Sequence, residues 1–210
     1  MLKCALCEKR KPRRHCPALD GDICPQCCGT AREVTLACPF DCEYLREARL
    51  HEKLVDVDPR TFPHQDINLT ESFLVEREPL LLAAAAALGE GAINETNAYD
   101  SDVREALDAM IRTYRTLLSG LYYEALPENT VAASVFRLAR GRIEKFRENT
   151  ARQTSHGSIR DSDVIGVLIF LQRMALDNDN QRAKSRRFID ILRLHFPLNS
   201  RQESATNLIV

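Results

Sequence analysis

Eight cysteines stand between Cys4 and Cys42 of a 210-residue chain that has eight in all. Their order is Cys4-x2-Cys7-x8-Cys16-x7-Cys24-x2-Cys27-Cys28-x9-Cys38-x3-Cys42. A C-x2-C turn puts two sulfurs on one side of a tight loop, and two such turns supply the four thiolates of a closed tetrahedral zinc site. The spacing predicts that Cys4, Cys7, Cys24 and Cys27 hold one Zn2+. A second ion would take Cys16, Cys38 and Cys42 together with either Cys28 or His15. That second set is irregular, because Leu19 stands where a C-x2-C partner of Cys16 would be. Disulfides are the competing use of eight cysteines. They require an oxidising compartment, and Met1-Leu2-Lys3-Cys4 does not open like an export signal.

Other residues near the cysteines have chemistry of their own. Lys9, Arg10, Lys11, Arg13 and Arg14 form a basic loop held between the first ligand pair and Cys16, which could meet phosphates or simply be solvated. Cys28, next to Cys27, is the candidate for a thiol that oxidation would address. His15 and His51 lie close enough in sequence to be ligands, although surface histidines are commoner. No catalytic motif is found: there is no Gly-rich phosphate loop and no H-E-x-x-H. The zinc-deaminase signature is met only as a shifted Cys24-Pro25-Gln26-Cys27 with His51-Glu52 after it, and that reading is rejected.

Cys4-x2-Cys7, the basic spacer, His15-Cys16-Pro17 and Ile23-Cys24-Pro25-Gln26-Cys27 together resemble the opening of crossed-brace and treble-clef zinc modules of the HIT, MYND and B-box kind. The resemblance covers about residues 1–50. It departs at Leu19, at the extra Cys28 and in its C-x3-C ending. Such modules are generally protein-interaction surfaces, and the resemblance implies that role.

Positioning these sulfurs requires short local elements. Asp41 to Leu54 predicts an amphipathic helix, with Tyr44 or Leu45, Ala48 and Leu50 or Leu54 inward, which would close the module. Its first turn favours thiolate over thiol at Cys38 and Cys42. Two prolines and several turn-formers make 55–69 a linker or extended arm. Residues 70–196 read as an all-α bundle of about five helices, and 197–210 as a loose tail. The first helix follows Thr70, is kinked or restarted by Pro79, and stops at Gly89 and Gly91. The second, with Asp100 and Asp102 at its start, repeats Val103, Leu107, Met110, Tyr114, Leu117 and Leu121 at helical spacing. The third covers about Asn129 to Asn149. A fourth begins near Asp161 or Ser162: its run Val164 to Leu171 is apolar all round and could alone be a buried strand, but the continuation Gln172 to Leu176 favours a central buried helix. The fifth would bring Phe188, Ile191, Leu192 and His195 together.

The fold class expected is therefore a small zinc-stabilised α+β module, residues 1–54, followed by a helical bundle. At 44% hydrophobic content the chain can bury a core, and no apolar run is long enough to span a membrane, so an intracellular, cytoplasmic location is expected. The net charge of −1 conceals a segregation. Residues 76–130 carry four basic against ten acidic side chains and 131–195 carry thirteen against seven. Arg137, Arg140, Arg142, Lys145, Arg147 and Arg152, with Arg182, Lys184, Arg186 and Arg187, either face the acidic second helix or water, or, if both basic helices turn outward together, make a basic patch. The function expected is that of a zinc-binding adaptor or regulator with a protein partner. Nucleic-acid binding through the basic loop and Arg-rich helices is the alternative, and a zinc/thiol redox switch the second.

Overall fold

The computed structural model describes residues 3–54, 57–121, 123–153 and 158–196. At its N-terminal end a two-stranded antiparallel hairpin pairs β1 (Arg14–Cys16) with β2 (Gly21–Ile23), in the register Arg14 with Ile23 and Cys16 with Gly21. Helix α1 (Pro25–Ala31) follows at once, with Cys24 at its N-cap and Pro25 in its first turn, where a missing N–H is not felt. Helix α2 (Glu43–His51) has Cys42 at its N-cap and buries Leu45, whereas Leu50 is left exposed. Ile23, Leu36 and Leu45 pack with the sulfurs into a core separate from that of the rest of the chain.

A 3-10 turn (Pro59–Thr61) precedes α3 (Glu71–Glu76), α4 (Glu78–Asn94), α5 (Asp100–Leu118), α6 (Thr130–Gln153), α7 (Asp161–Asp177) and α8 (Arg187–His195). The protein is thus mostly helical, with one small sheet and a cysteine cluster at its N-terminal end. Among the described residues six helices, against an expectation of about five, follow the linker, because Pro79 sits in the first turn of a fresh helix instead of kinking a single one. Gly89 and Gly91 do not stop α4. Both are buried in it, and Gly91 lets the α6 backbone approach: a Cβ there would lie 3.2 Å from Val135 Cα.

Helices α4 to α7 form a four-helix bundle in which α4 packs on α6 and α7, and α5 on α6 and α7. Its topology is not the simple up-and-down one. Asn129 Nδ2 donates to Asp102 Oδ1 at 2.6 Å, which brings the starts of α5 and α6 together, so these two helices run parallel. The connection 119–129 therefore returns along α5, held by Thr116 Oγ1 to the Tyr123 carbonyl at 2.9 Å and Ala125 N to Thr113 Oγ1 at 3.0 Å. Helix α5 ends at Leu118, so Leu121 lies beyond it and is exposed. Tyr122 and the tail 197–210 lie outside the described residues.

Helix α7 is buried nearly all round, as its sequence requires. In α8 the inward residues are Phe188, Ile189 and Leu192. Ile191 is only partly buried and His195 is exposed, a rotation of the expected face by one residue. Residues 62–69 run along α5 and α7, with Arg115 Nη2 on Asp66 at 3.0 Å and Arg173 Nη2 on the His64 carbonyl at 2.8 Å.

Candidate metal centre

Each ligand pair of the first set is placed by local geometry. The Cys4–Cys7 turn closes with Glu8 N donating to the Cys4 carbonyl at 2.8 Å, and Glu8 takes a left-handed φ of 53° there. Cys24 and Cys27 occupy the N-cap and first turn of α1. The hairpin joins the two pairs: Ala5 N donates to the Asp22 carbonyl and Cys4 N to the Arg10 carbonyl, both at 2.9 Å. As a result the sulfurs of Cys4, Cys7, Cys24 and Cys27 all lie within 4.8 Å of one another. Cys4 and Cys24 are buried, and Cys7 and Cys27 half-buried.

The surroundings favour negative sulfur. Cys24 N donates to Cys4 Sγ at 3.2 Å and Cys27 N to Cys24 Sγ at 3.4 Å. Arg10 Nη1 reaches Cys24 Sγ at 3.4 Å and Cys27 Sγ at 3.8 Å. The Cys27 N–H, then Arg10, draw the Cys24 thiol down to about 6, while the hydrogen bond with Cys24 and burial push Cys27 up to about 12. At Cys4, burial opposes ionisation, but the N–H groups of Cys24, Cys7 and Leu6 outweigh it and hold the thiol below its ordinary value. Four sulfurs at this separation, with N–H and guanidinium donors around them, are a donor set for a soft or borderline cation.

The other four cysteines share the module's buried cluster but form no comparable group among the described residues. Cys38 feels the charges of Cys42 and Cys16, and burial is the main cause that holds its proton on. Cys28 Sγ instead meets two guanidiniums, Arg14 Nη1 at 3.6 Å and Arg32 Nη2 at 4.0 Å. His15 points away, its ring nitrogens 3.4 Å from Asp22 and 3.8 Å from Asp20 and its side chain 61% exposed. His51 is exposed as well.

The basic loop is divided by these contacts. Arg10, though exposed, serves the sulfurs, and Arg14 both reaches Cys28 and lies over the Tyr44 ring at 4.5 Å, while Lys9, Lys11 and Arg13 are the loop's other exposed cations. The Arg-rich helices do not gather into one outward patch either. Arg140 pairs with Glu124, Arg142 with Glu90, Arg147 with Asp161 and Arg152 with Glu148.

One residue that sequence reasoning missed ties the cysteine module to the bundle. Glu33, 1% exposed, accepts from Arg49 Nη2 at 2.7 Å and Asn180 Nδ2 at 3.0 Å, and its carbonyl accepts from Lys184 N at 2.8 Å. Arg49 also reaches Asp190 of α8 at 2.6 Å. Among the described residues no helix is long and apolar enough to cross a membrane. In comparisons with protein-family models, with curated proteins and with solved structures, nothing matches this chain.

Proposed function

We propose that the chain is a zinc-binding regulatory or adaptor protein that works by protein–protein interaction. The observation that carries the metal reading is the convergence of Cys4, Cys7, Cys24 and Cys27 to within 4.8 Å of one another. A C-x2-C turn, a hairpin and a helix whose first turn carries the other C-x2-C pair is the layout of a treble-clef module. Zn2+ is the ion that four thiolates of a closed set select, and a tetrahedron completed by protein sulfur leaves no position for a substrate. The ion's contribution is then structural: it fixes a segment whose apolar core is too small to fold unaided. A second ion on Cys16, Cys28, Cys38 and Cys42 would require those sulfurs to close up on it. A rigid module docked on a helical bundle, with a closed metal site, suits recognition of a protein partner. A nucleic-acid interface would have to rest on Lys9, Lys11 and Arg13.

Zinc per chain, measured by elemental analysis on protein purified under reducing conditions, tests the metal reading. Cys24→Ser should lose one equivalent, and zinc-free wild-type protein would refute the site. Affinity capture with the full chain, against the Cys4→Ser/Cys7→Ser double variant, tests the adaptor reading. It predicts a partner retained reproducibly by the wild type and lost by the variant.

A further inference from the structure

The face of the bundle under the cysteine module is a strip rich in cations, with Asp190 among them, which takes Arg49 of the module and Arg193 of its own helix. Arg182, Lys184, Arg186, Arg187 and Arg193 all lie between residues 182 and 193, and each is answered from the module or from the segment that follows it. Arg182 Nη1 donates to the Arg32 carbonyl at 2.7 Å and Lys184 Nζ to the Thr35 carbonyl at 2.8 Å. Glu52 takes Arg187 at 3.2 Å and Arg182 at 3.7 Å. The Phe40 ring lies under two guanidiniums, Arg186 at 4.0 Å and Arg193 at 5.0 Å. The strip thus recognises carboxylates, carbonyls and an aromatic ring.

Two features mark this contact as releasable. Glu33, at its centre, is held at a left-handed φ of 53°, which a non-glycine residue adopts at a cost. Segment 32–36 also follows directly on α1, whose start is fixed by the cysteine ligands, and the module's own core is built largely of sulfur. The bundle has its own, larger core, against which Phe40 of the module packs at the edge.

We propose that the module is a metal-held cap. With the ion bound it covers the strip from Arg182 to Arg193, and loss of the ion uncovers a cationic face that takes an acidic protein segment containing an aromatic residue. This rests on the metal reading above. The chemistry of the segment follows from what the strip's cations bind when capped: the Glu52 carboxylate, on Arg182 and Arg187, and the Phe40 ring, on Arg186 and Arg193, a pairing that no phosphate backbone reproduces.

The experiment uses the full chain, zinc-loaded or chelated under reducing conditions, with zinc content measured first. Hydrogen exchange of amides 180–193 should accelerate at least about tenfold on chelation while the bundle's helical circular dichroism stays. A fluorescein-labelled Glu-Glu-Phe repeat peptide should bind the chelated protein at least about tenfold tighter than the loaded one, a difference equivalent to about 1.4 kcal/mol. Glu33→Gln should reproduce part of both effects with zinc content unchanged. A zinc-bearing chain whose exchange and peptide binding do not change on chelation overturns the cap. Single-stranded DNA binding in preference to the peptide overturns the partner chemistry, and a chain without zinc overturns the reading on which both rest.

Discussion

The ring of Phe73 lies where a side chain of residue 166 would have to be: a Cβ on Gly166 would come within 2.5 Å of Phe73 Cζ. Phe73 belongs to α3, a helix of six residues that also packs on α4, and its ring fits into this notch on α7. Gly166→Ala should therefore displace α3 without breaking α7. An overpacked contact of this kind costs about 1–3 kcal/mol, less if the ring swings away. The expected result is a fall of a few degrees in melting temperature with unchanged helical content. Phe73→Leu in the same chain should recover part of it, and a Gly166→Ala protein as stable as wild type would show that α3 is not seated there.

Asp100 is expected to anchor α8 rather than its own helix. Its carboxylate accepts from Ser185 Oγ at 2.7 Å and from the N–H groups of Phe188 and Ile189 at 3.1 Å each, so a residue at the start of α5 caps the start of α8. Burial is the main cause that raises its proton affinity, against the hydrogen bonds that lower it. Asp100→Ala should cost about 2 kcal/mol or more, since it removes a cap and leaves buried N–H groups unpaired. Hydrogen exchange in α8 should rise first. Equal destabilisation of α5 and α8 would contradict the assignment.

What could be read without the structure was local, and what could not was tertiary. The C-x2-C pairs are set by turns of a few residues, so Cys4, Cys7, Cys24 and Cys27 were legible, as was the buried Val164 to Leu171 run of α7. The capping of α8 by Asp100 was not, because an acidic residue at a helix start reads as its own helix's cap. Asp102 does play that part, accepting from Tyr99 N at 2.7 Å. Gly89 and Gly91 misled because glycine ends helices in solvent but permits close approach inside a bundle. The parallel run of α5 and α6 has no local signal in 119–129, and nothing in Ala31-Arg32-Glu33-Val34 marks Glu33 as the residue that joins module to bundle. The arginines of 182–187 were visible as charges, but their partners stand more than a hundred residues away.

Acidification should loosen the strap over α5 and α7. His64 Nδ1 lies 3.2 Å from Arg115 Nη2, with Arg173 beside it and Asp66 and Asp108 as the facing carboxylates. Burial, then the charge of Arg115, holds the imidazole below its ordinary value of 6.5. The unfolded chain therefore binds the His64 proton more readily than the folded one, and this contribution to stability is present above pH 6.5 and lost as pH falls below it. Urea midpoints measured from pH 8 to pH 5 should decline in wild type more steeply than in His64→Asn, asparagine being chosen because φ is 59° there. Parallel profiles would mean that His64 does not titrate against the strap.

Arg10 is expected to tune the metal site without being a ligand. Its guanidinium donates to Cys24 and Cys27, the sulfurs at the start of α1, and so offsets part of the charge that four thiolates leave around a divalent ion. Arg10→Gln should lower zinc affinity by about 10–100-fold, the usual loss when an outer hydrogen bond to a ligand is removed. Competition against a chromogenic chelator measures it, and release should begin at higher pH than in wild type, because sulfurs without the guanidinium regain protons sooner. Lys9→Gln is the control. Lys9 is an exposed neighbour of the same charge, so equal losses from both substitutions would assign the effect to the net charge of the loop, and a loss confined to Arg10→Gln would assign it to the contact with sulfur.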